Sequence, residues 1–313
     1  MRGTVVLALG LAAATGLLAA SVMTAASPSS SSPAWRSGPF NVDVREERVP
    51  GRRTTFEARV FYPAVLGTGA VGLPPAPVAD GRFPVVVFGH GYLAPVESYD
   101  STLRRLAAWG FIVAAPRAAG DSYPGHDRFA DDLRATVDRM EVLDLEPGGW
   151  LAGHVLRGAY GLAGHSMGGG VSLIAAARSP GILAVATLAA TETVPSAGAA
   201  SAAIDAPVLF IGGDEDAISP VASRQWALFD AKAQGPAQLR VLRGASHCGF
   251  LDDAAFLGLG CDAGSMDPGL QRALAARLVV FWMRRYLQGE LTLDPLLWHG
   301  DPDPLMVVAT KGV

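Results

Sequence analysis

Apolar and polar positions alternate with period two over Asn41 to Arg48 and again over Thr54 to Tyr62. That spacing predicts two antiparallel strands at the start of a sheet. Pro63 to Pro84 is rich in Gly and Pro without periodicity and reads as a loop. Val85 to Phe88 is a continuous apolar run, expected of a strand buried on both faces, and it ends in Gly89-His90-Gly91-Tyr92. Tyr99 to Trp109 then takes helical spacing at Leu103, Leu106 and Ala107, with Gly110 as its stop.

The rest of the chain keeps alternating. Phe111 to Ala115 reads as a strand, and Phe129 to Leu145 as an amphipathic helix with Phe129, Leu133, Val137, Met140 and Leu143 on one face. Tyr160 to Ala163 is a short apolar strand and Val171 to Arg178 an Ala-rich helix. Strands are expected at Leu183 to Ala189, Pro207 to Ile211 and Leu239 to Leu242, with a helix at Pro220 to Ala231. A helix over Leu270 to Leu287 turns Leu274, Leu278 and Phe281 inward, and Gly289 lies beyond its end. Leu291 to Val313 has too little periodicity to place. Such alternation predicts an α/β fold with one doubly wound, mostly parallel sheet and antiparallel N-terminal strands.

The first residues do not belong to that pattern. Arg2 followed by the apolar run Val5 to Ala20 and the small residues Thr24-Ala25-Ala26 reads as a secretory signal over 1–26. A Ser-rich linker follows over 27–36, and 37–313 is expected to form a single domain. The alternative is a retained, outward-facing membrane anchor, since the apolar stretch is nearly long enough to span. After cleavage no stable membrane association is expected. Half of the 313 residues are apolar, enough for a large core, and a net charge of -4 offers nucleic acid no attraction.

The chemistry begins at Gly164-His165-Ser166-Met167-Gly168, set between the strand and the helix. A Gly-x-Ser-x-Gly turn in that setting is a nucleophile elbow, which holds a serine hydroxyl clear of the sheet. Gly164 and Gly168 are expected because a side chain there would collide with the neighbouring strand and helix. The partners of such a serine follow it in the order acid, then histidine. Of six histidines only His247 and His299 follow Ser166. His247 stands directly after a strand, where its ring can reach the serine, whereas His299 follows the last helix. The acid belongs in the turn Gly212-Gly213-Asp214-Glu215-Asp216, and Asp216 is the choice, with Asp214 as the alternative. Otherwise Asp214 and Glu215 read as solvated turn residues.

An oxyanion hole requires two backbone N–H groups, assigned to Met167 after the nucleophile and to Tyr92 in the Gly89-His90-Gly91-Tyr92 loop. His90 and His165 precede the acid and read as structural. Cys248 directly follows His247, and in an exported chain it and Cys261 are expected to form a disulfide stapling the histidine loop. No metal-like spacing is present, and neither a metal nor a cofactor is expected.

In order along the chain stand Ser37-Gly38-Pro39-Phe40, Gly91-Tyr92, Trp109-Gly110-Phe111-Ile112-Val113, Gly164 to Gly170, Asp216-Ala217-Ile218-Ser219-Pro220-Val221 and Gly244-Ala245-Ser246-His247. With these the sequence resembles α/β-hydrolases of the polyester hydrolase (bacterial cutinase-like) type, with kinship to chlorophyllases and dienelactone hydrolases. The resemblance implies the α/β-hydrolase fold, a triad of Ser166, Asp216 and His247, and an oxyanion hole at Tyr92 and Met167. Polyester hydrolases carry a tryptophan in the loop that here reads Thr191-Glu192-Thr193-Val194-Pro195, and their disulfides are placed differently. The acyl and alcohol groups of the substrate therefore stay open.

Only Thr191 to Ala206 joins the strands on either side of the usual lid position, too short for a lid domain. An open cleft with a solvent-accessible Ser166 is expected, suited to bulky or polymeric esters. The reading is a secreted, monomeric serine esterase working through an acyl-enzyme. A thioesterase or peptidase on the same fold, and a non-catalytic binding protein, are the alternatives.

Overall fold

The computed structural model describes residues 38–65, 75–117, 125–253, 261–298 and 303–312. The leader expected over 1–26 and the linker over 27–36 lie outside the described residues, as does His299. Among the described residues nine strands form one sheet in the order β1-β2-β4-β3-β5-β6-β7-β8-β9. They are β1 (Asn41–Pro50), β2 (Thr55–Ala64), β3 (Phe83–Gly89), β4 (Ile112–Pro116), β5 (Val155–His165), β6 (Ile182–Leu188), β7 (Val208–Gly213), β8 (Ala237–Leu242) and β9 (Met306–Lys311). From β4 across to β8 every pairing is parallel. The antiparallel pairs lie at the two edges, β1 with β2 and β2 with β4 at one, β8 with β9 at the other. This is the α/β-hydrolase arrangement the sequence implied.

The continuous apolar runs divide between two cores because successive strand side chains point to opposite faces. Val85 and Val87 of β3 enter one core, and so do Val208 and Phe210 of β7. Val86, Phe88, Leu209 and Ile211 enter the other. The first core is covered by α2 (His126–Leu145), α3 (Met167–Ala177), α4 (Ala197–Ala203) and α5 (Trp226–Ala231), through residues such as Phe129, Leu133, Met140, Val171 and Phe229. The second lies under α1 (Asp100–Ala108) and α6 (Pro268–Leu287), through Leu103, Leu106, Leu278 and Trp282. Each side chain buried in this way is worth about 1.5–3 kcal/mol.

The structure differs from the sequence reading in a few elements. Helix α2 starts earlier, at His126, and α3 begins directly after Ser166. The helix expected over Pro220 to Ala231 opens with one π-helical turn, Val221–Gln225, before α5. On α6 the innermost aromatic is Trp282 rather than Phe281, which is only partly buried. The tail contains α7 (Asp294–Trp298) and β9. The buried Arg240 of β8 helps hold that tail: its guanidinium donates to the Leu296 carbonyl at 3.3 Å and the Leu297 carbonyl at 2.8 Å. Among the described residues no helix is long and apolar enough to cross a membrane.

Candidate active site

Ser166 sits between the last residue of β5 and the first of α3 with φ 55° and ψ −122°. A positive φ is strained for a residue with a Cβ and persists only where its surroundings over-determine it. Here they do. Ser166 N–H donates to the Leu188 carbonyl at 2.9 Å, and its own carbonyl accepts from Gly169 at 3.0 Å, Gly170 at 3.2 Å and Thr191 at 3.1 Å. The two flanking glycines allow strand and helix to close on each other. A Cβ on Gly164 would run into the Gly168 carbonyl, and one on Gly168 into the carbonyls of Gly89 and His90.

Three turns at the carboxyl ends of parallel strands converge on this serine. His247, in the turn after β8, places Nε2 2.9 Å from Ser166 Oγ. Its Nδ1 lies 2.9 Å from Oδ2 of Asp216, in the turn after β7. Asp216 Oδ1 accepts the backbone N–H of Ile218 at 2.9 Å and of Ser219 at 2.6 Å, which leaves Oδ2 for the imidazole. A carboxylate only accepts, so Nδ1 carries the hydrogen and Nε2 offers a lone pair to the serine hydroxyl. Asp216, His247 and Ser166 are all buried. Removed from water, such contacts are stronger than their surface equivalents.

The other two acids of the turn have separate partners. Asp214 Oδ1 accepts Gly244 N–H at 2.6 Å, and the Glu215 carboxylate takes both the N–H and the hydroxyl of Ser265, each at 2.7 Å. Both are exposed, as expected of turn residues, and each also ties the acid turn to the segments around the histidine.

Met167 opens α3, so its N–H is one of those with no acceptor within the helix. The Gly91 backbone passes close to the serine: a Cβ at Gly91 would lie 3.4 Å from Ser166 Cβ and 3.1 Å from His165 Nδ1. The two segments assigned to the oxyanion hole thus flank the nucleophile. The Tyr92 side chain itself is largely exposed.

The histidines read as structural are buried. His90 Nδ1 donates to the Gly91 carbonyl at 2.9 Å, and its ring packs on Phe129 with centroids 4.8 Å apart. Burial lowers its pKa from the ordinary histidine value. His165 does more than fill space. Its Nε2 lies 3.2 Å from the His247 carbonyl, and its Nδ1 lies 2.9 Å from the Tyr99 hydroxyl. That hydroxyl in turn accepts Gly91 N–H at 3.0 Å. Because a carbonyl can only accept, every hydrogen in the chain of contacts is assigned: Gly91 N–H to Tyr99 oxygen, Tyr99 O–H to Nδ1, Nε2–H to His247 oxygen. Burial, and then the neighbouring His247, hold the His165 pKa well below the ordinary value. Tyr99 was read only as the start of a helix, and an isolated tyrosine before a helix carries no motif that would have marked it.

Cys248 and Cys261 form the expected disulfide, with Cα atoms 5.8 Å apart, and Cys248 opens a 3₁₀ turn directly after His247. The connection from β6 to β7 holds only the short α4 and no lid domain. Ser166 nonetheless keeps just 8 % of its surface accessible, less than an open cleft was expected to leave. The Gly91 backbone and the His247 ring close on it from two sides. The loops that leave the carboxyl ends of β3, β6 and β7 carry exposed apolar side chains: Tyr92, Leu93, Val194 and Ile218. Among the described residues no group of His, Cys, Asp or Glu is arranged to hold a metal ion.

Residues 28–302 match the family described as PETase, PET hydrolase-like. The chain is 25 % identical over 273 residues to a bis(hydroxyethyl) terephthalate hydrolase of Streptomyces coelicolor, covering 84 % of this chain and 76 % of that protein. It is 28 % identical over 250 residues to chlorophyllase-2 of Arabidopsis thaliana, covering 68 % of this chain and 76 % of that one. With most of its length matched and the sheet order in agreement, the chain belongs to the PET hydrolase-like family and is a carboxylic ester hydrolase of the α/β-hydrolase fold.

Proposed function

We propose that the protein is a secreted serine esterase that works through an acyl-enzyme, with Ser166 as nucleophile, His247 as base and Asp216 as the acid that orients it. The observation that supports this best is the pair of 2.9 Å contacts joining Ser166 Oγ, the His247 ring and Asp216 Oδ2. His247 Nε2 takes the hydroxyl proton as Oγ attacks the ester carbonyl, and Asp216 stabilises the imidazolium that forms. The N–H groups of Met167 and Tyr92 receive the oxyanion. The tetrahedral intermediate collapses to the acyl-serine, and Nε2–H protonates the departing alcohol. Water, deprotonated by His247, then releases the acid.

The substrate is a bulky ester with an apolar or aromatic portion. The exposed Tyr92, Leu93, Val194 and Ile218 support this, being large apolar groups on the loops that leave the carboxyl ends of the strands. So do relatives named for a terephthalate ester and for chlorophyll. The leader expected over 1–26 and the Cys248–Cys261 disulfide support export to an oxidising compartment.

Labelling with a fluorophosphonate tests the mechanism. One adduct on Ser166 is expected, absent in S166A and accompanied there by loss of p-nitrophenyl ester turnover. Wild-type protein that takes no label would overturn the reading. Intact mass of the protein recovered from culture medium tests export, with a mature chain starting after Ala26 expected.

A further inference from the structure

A carboxylate that no part of the proposed reaction uses lies behind the histidine. Asp262 Oδ2 accepts the backbone N–H of Ala217 at 3.0 Å and that of His247 at 3.1 Å. Its Oδ1 accepts the N–H of Cys248 at 3.0 Å. One side chain therefore bridges the turn after β7, beside Asp216, and the turn after β8, at His247 itself. Asp262 is in turn fixed from its own backbone, because its neighbour Cys261 is bonded to Cys248. The next few residues are stitched to the same two turns: Ser265 to Glu215, and Met266 N–H to the Gly244 carbonyl at 2.8 Å.

We propose that Asp262 is a positioning residue for the ester-cleaving reaction, a three-point backbone clamp that sets the distance between Asp216 and His247 and that the Cys248–Cys261 cross-link holds in place. This rests on the serine-esterase reading above. Asp216 reaches His247 through a single hydrogen bond between two turns of different strands. Drift of either turn would lengthen that bond and swing Nε2 off Ser166. Backbone N–H groups are suited to preventing such drift because, unlike side chains, they cannot re-orient without moving the turn. A carboxylate with two oxygens is suited to holding three of them. Asn at this position offers only one accepting oxygen and would set an NH₂ group against a donor.

Because Asp262 makes its contacts through the backbone behind the ring, its loss should fall on kcat and leave KM in place. The experiment measures kcat and KM for wild type, D262N, the C248S/C261S variant and the combination, each normalised to sites titrated to completion with a fluorophosphonate. We expect D262N to lose about tenfold to a hundredfold in kcat per titrated site with KM unchanged, the scale of a small misplacement of reacting groups. If cross-link and carboxylate act as one unit, the combined variant loses no more than the worse of its parents. Unchanged kcat per site in D262N, or losses that multiply in the combination, would overturn the proposal. A D262N chain that titrates no sites would assign Asp262 to folding and would overturn it equally. Failure of the wild type to take the label is the separate result that removes the esterase reading itself.

Discussion

The hydroxyl of Tyr99 stands 2.9 Å from Nδ1 of His165, and through it the loop after β3 is tied to the nucleophile elbow. The same oxygen holds Gly91 N–H, and the far side of the His165 ring holds the His247 carbonyl. Backbone from two loops is thereby tied to one buried ring of the elbow. Y99F removes a single oxygen and leaves Gly91 N–H without its acceptor and His165 Nδ1 without its donor. Each buried group so orphaned costs about 1–3 kcal/mol. Chemical denaturation should show a loss on that scale, together with reduced ester turnover as the Gly91–Tyr92 backbone relaxes. Stability equal to wild type would mean that the hydroxyl does not hold the loops.

The buried histidines set the response to acid. His165 and His90 are both held below the ordinary value of 6.5 by desolvation. As pH falls below 6.5 the unfolded chain binds these protons first, so stability is full above 6.5 and declines toward the lowered folded values. Asp132 acts in the opposite sense. Burial raises its pKa to about 6, so the folded state binds its proton first, and the stabilisation this brings at low pH is lost as pH rises through that value. H165Q separates the contributions, since Gln keeps one donor and one acceptor but does not titrate. The wild-type-minus-H165Q difference in unfolding free energy should slope by up to about 1.4 kcal/mol per pH unit below 6.5 and be flat above it. Parallel curves throughout would show that His165 takes no part.

What could be read along the chain, and what could not, follows from where the information lies. Val85 to Phe88 betrays its double burial because both faces of β3 are apolar, and the sequence singles out His247, which the structure sets 2.9 Å from Ser166 Oγ, because an elbow serine allows its partners only one order. Strand β9 escaped because it is an edge strand: Met306 is buried, yet Val307 is exposed and the remaining positions are mixed. On α6, Phe281 and Trp282 are adjacent apolar residues, and only the packing of Trp282 against Tyr286 and Trp298 decides which faces inward. Tyr99, Glu215 and Asp262 were missed for a common reason. Each acts on backbone N–H groups brought near by tertiary structure, and no local spacing records that.

The glycines of the elbow make a sharp contrast with one beyond the far end of α3. A Cβ at Gly168 would meet the Gly89 and His90 carbonyls, which are backbone and cannot give way without parting β3 from α3. G168A is therefore expected to yield no soluble protein, or a fold several kcal/mol weaker that takes no fluorophosphonate. Gly181, in the turn before β6, has open space around its Cβ position and no left-handed φ. G181A should be neutral or stabilising by about 0.4–1 kcal/mol, because it narrows only the unfolded ensemble. Thermal denaturation of both variants checks the pair, and a well-folded, active G168A would contradict the geometry of the turn.

The two aspartates of the acid turn should respond to the same substitution in different ways. In D216N the single carbonyl oxygen can keep either the Ile218 and Ser219 N–H groups or the His247 Nδ1–H, but not both sets. If the oxygen stays with the backbone, the amide NH₂ faces Nδ1. The ring then takes the other tautomer, with its hydrogen on Nε2, and Nε2 donates to Ser166 instead of accepting. The serine loses its base while the site keeps its shape. Where a triad is broken in this way the loss in kcat is about 10⁴-fold. Asp214 has its noted bond to Gly244 N–H, and an Asn oxygen can accept that bond equally well. D214N should therefore retain most of its turnover. Steady-state rates on a p-nitrophenyl ester, with matched thermal stabilities, make the comparison, and a D214N loss as deep as that of D216N would remove Asp216 from the role proposed for it.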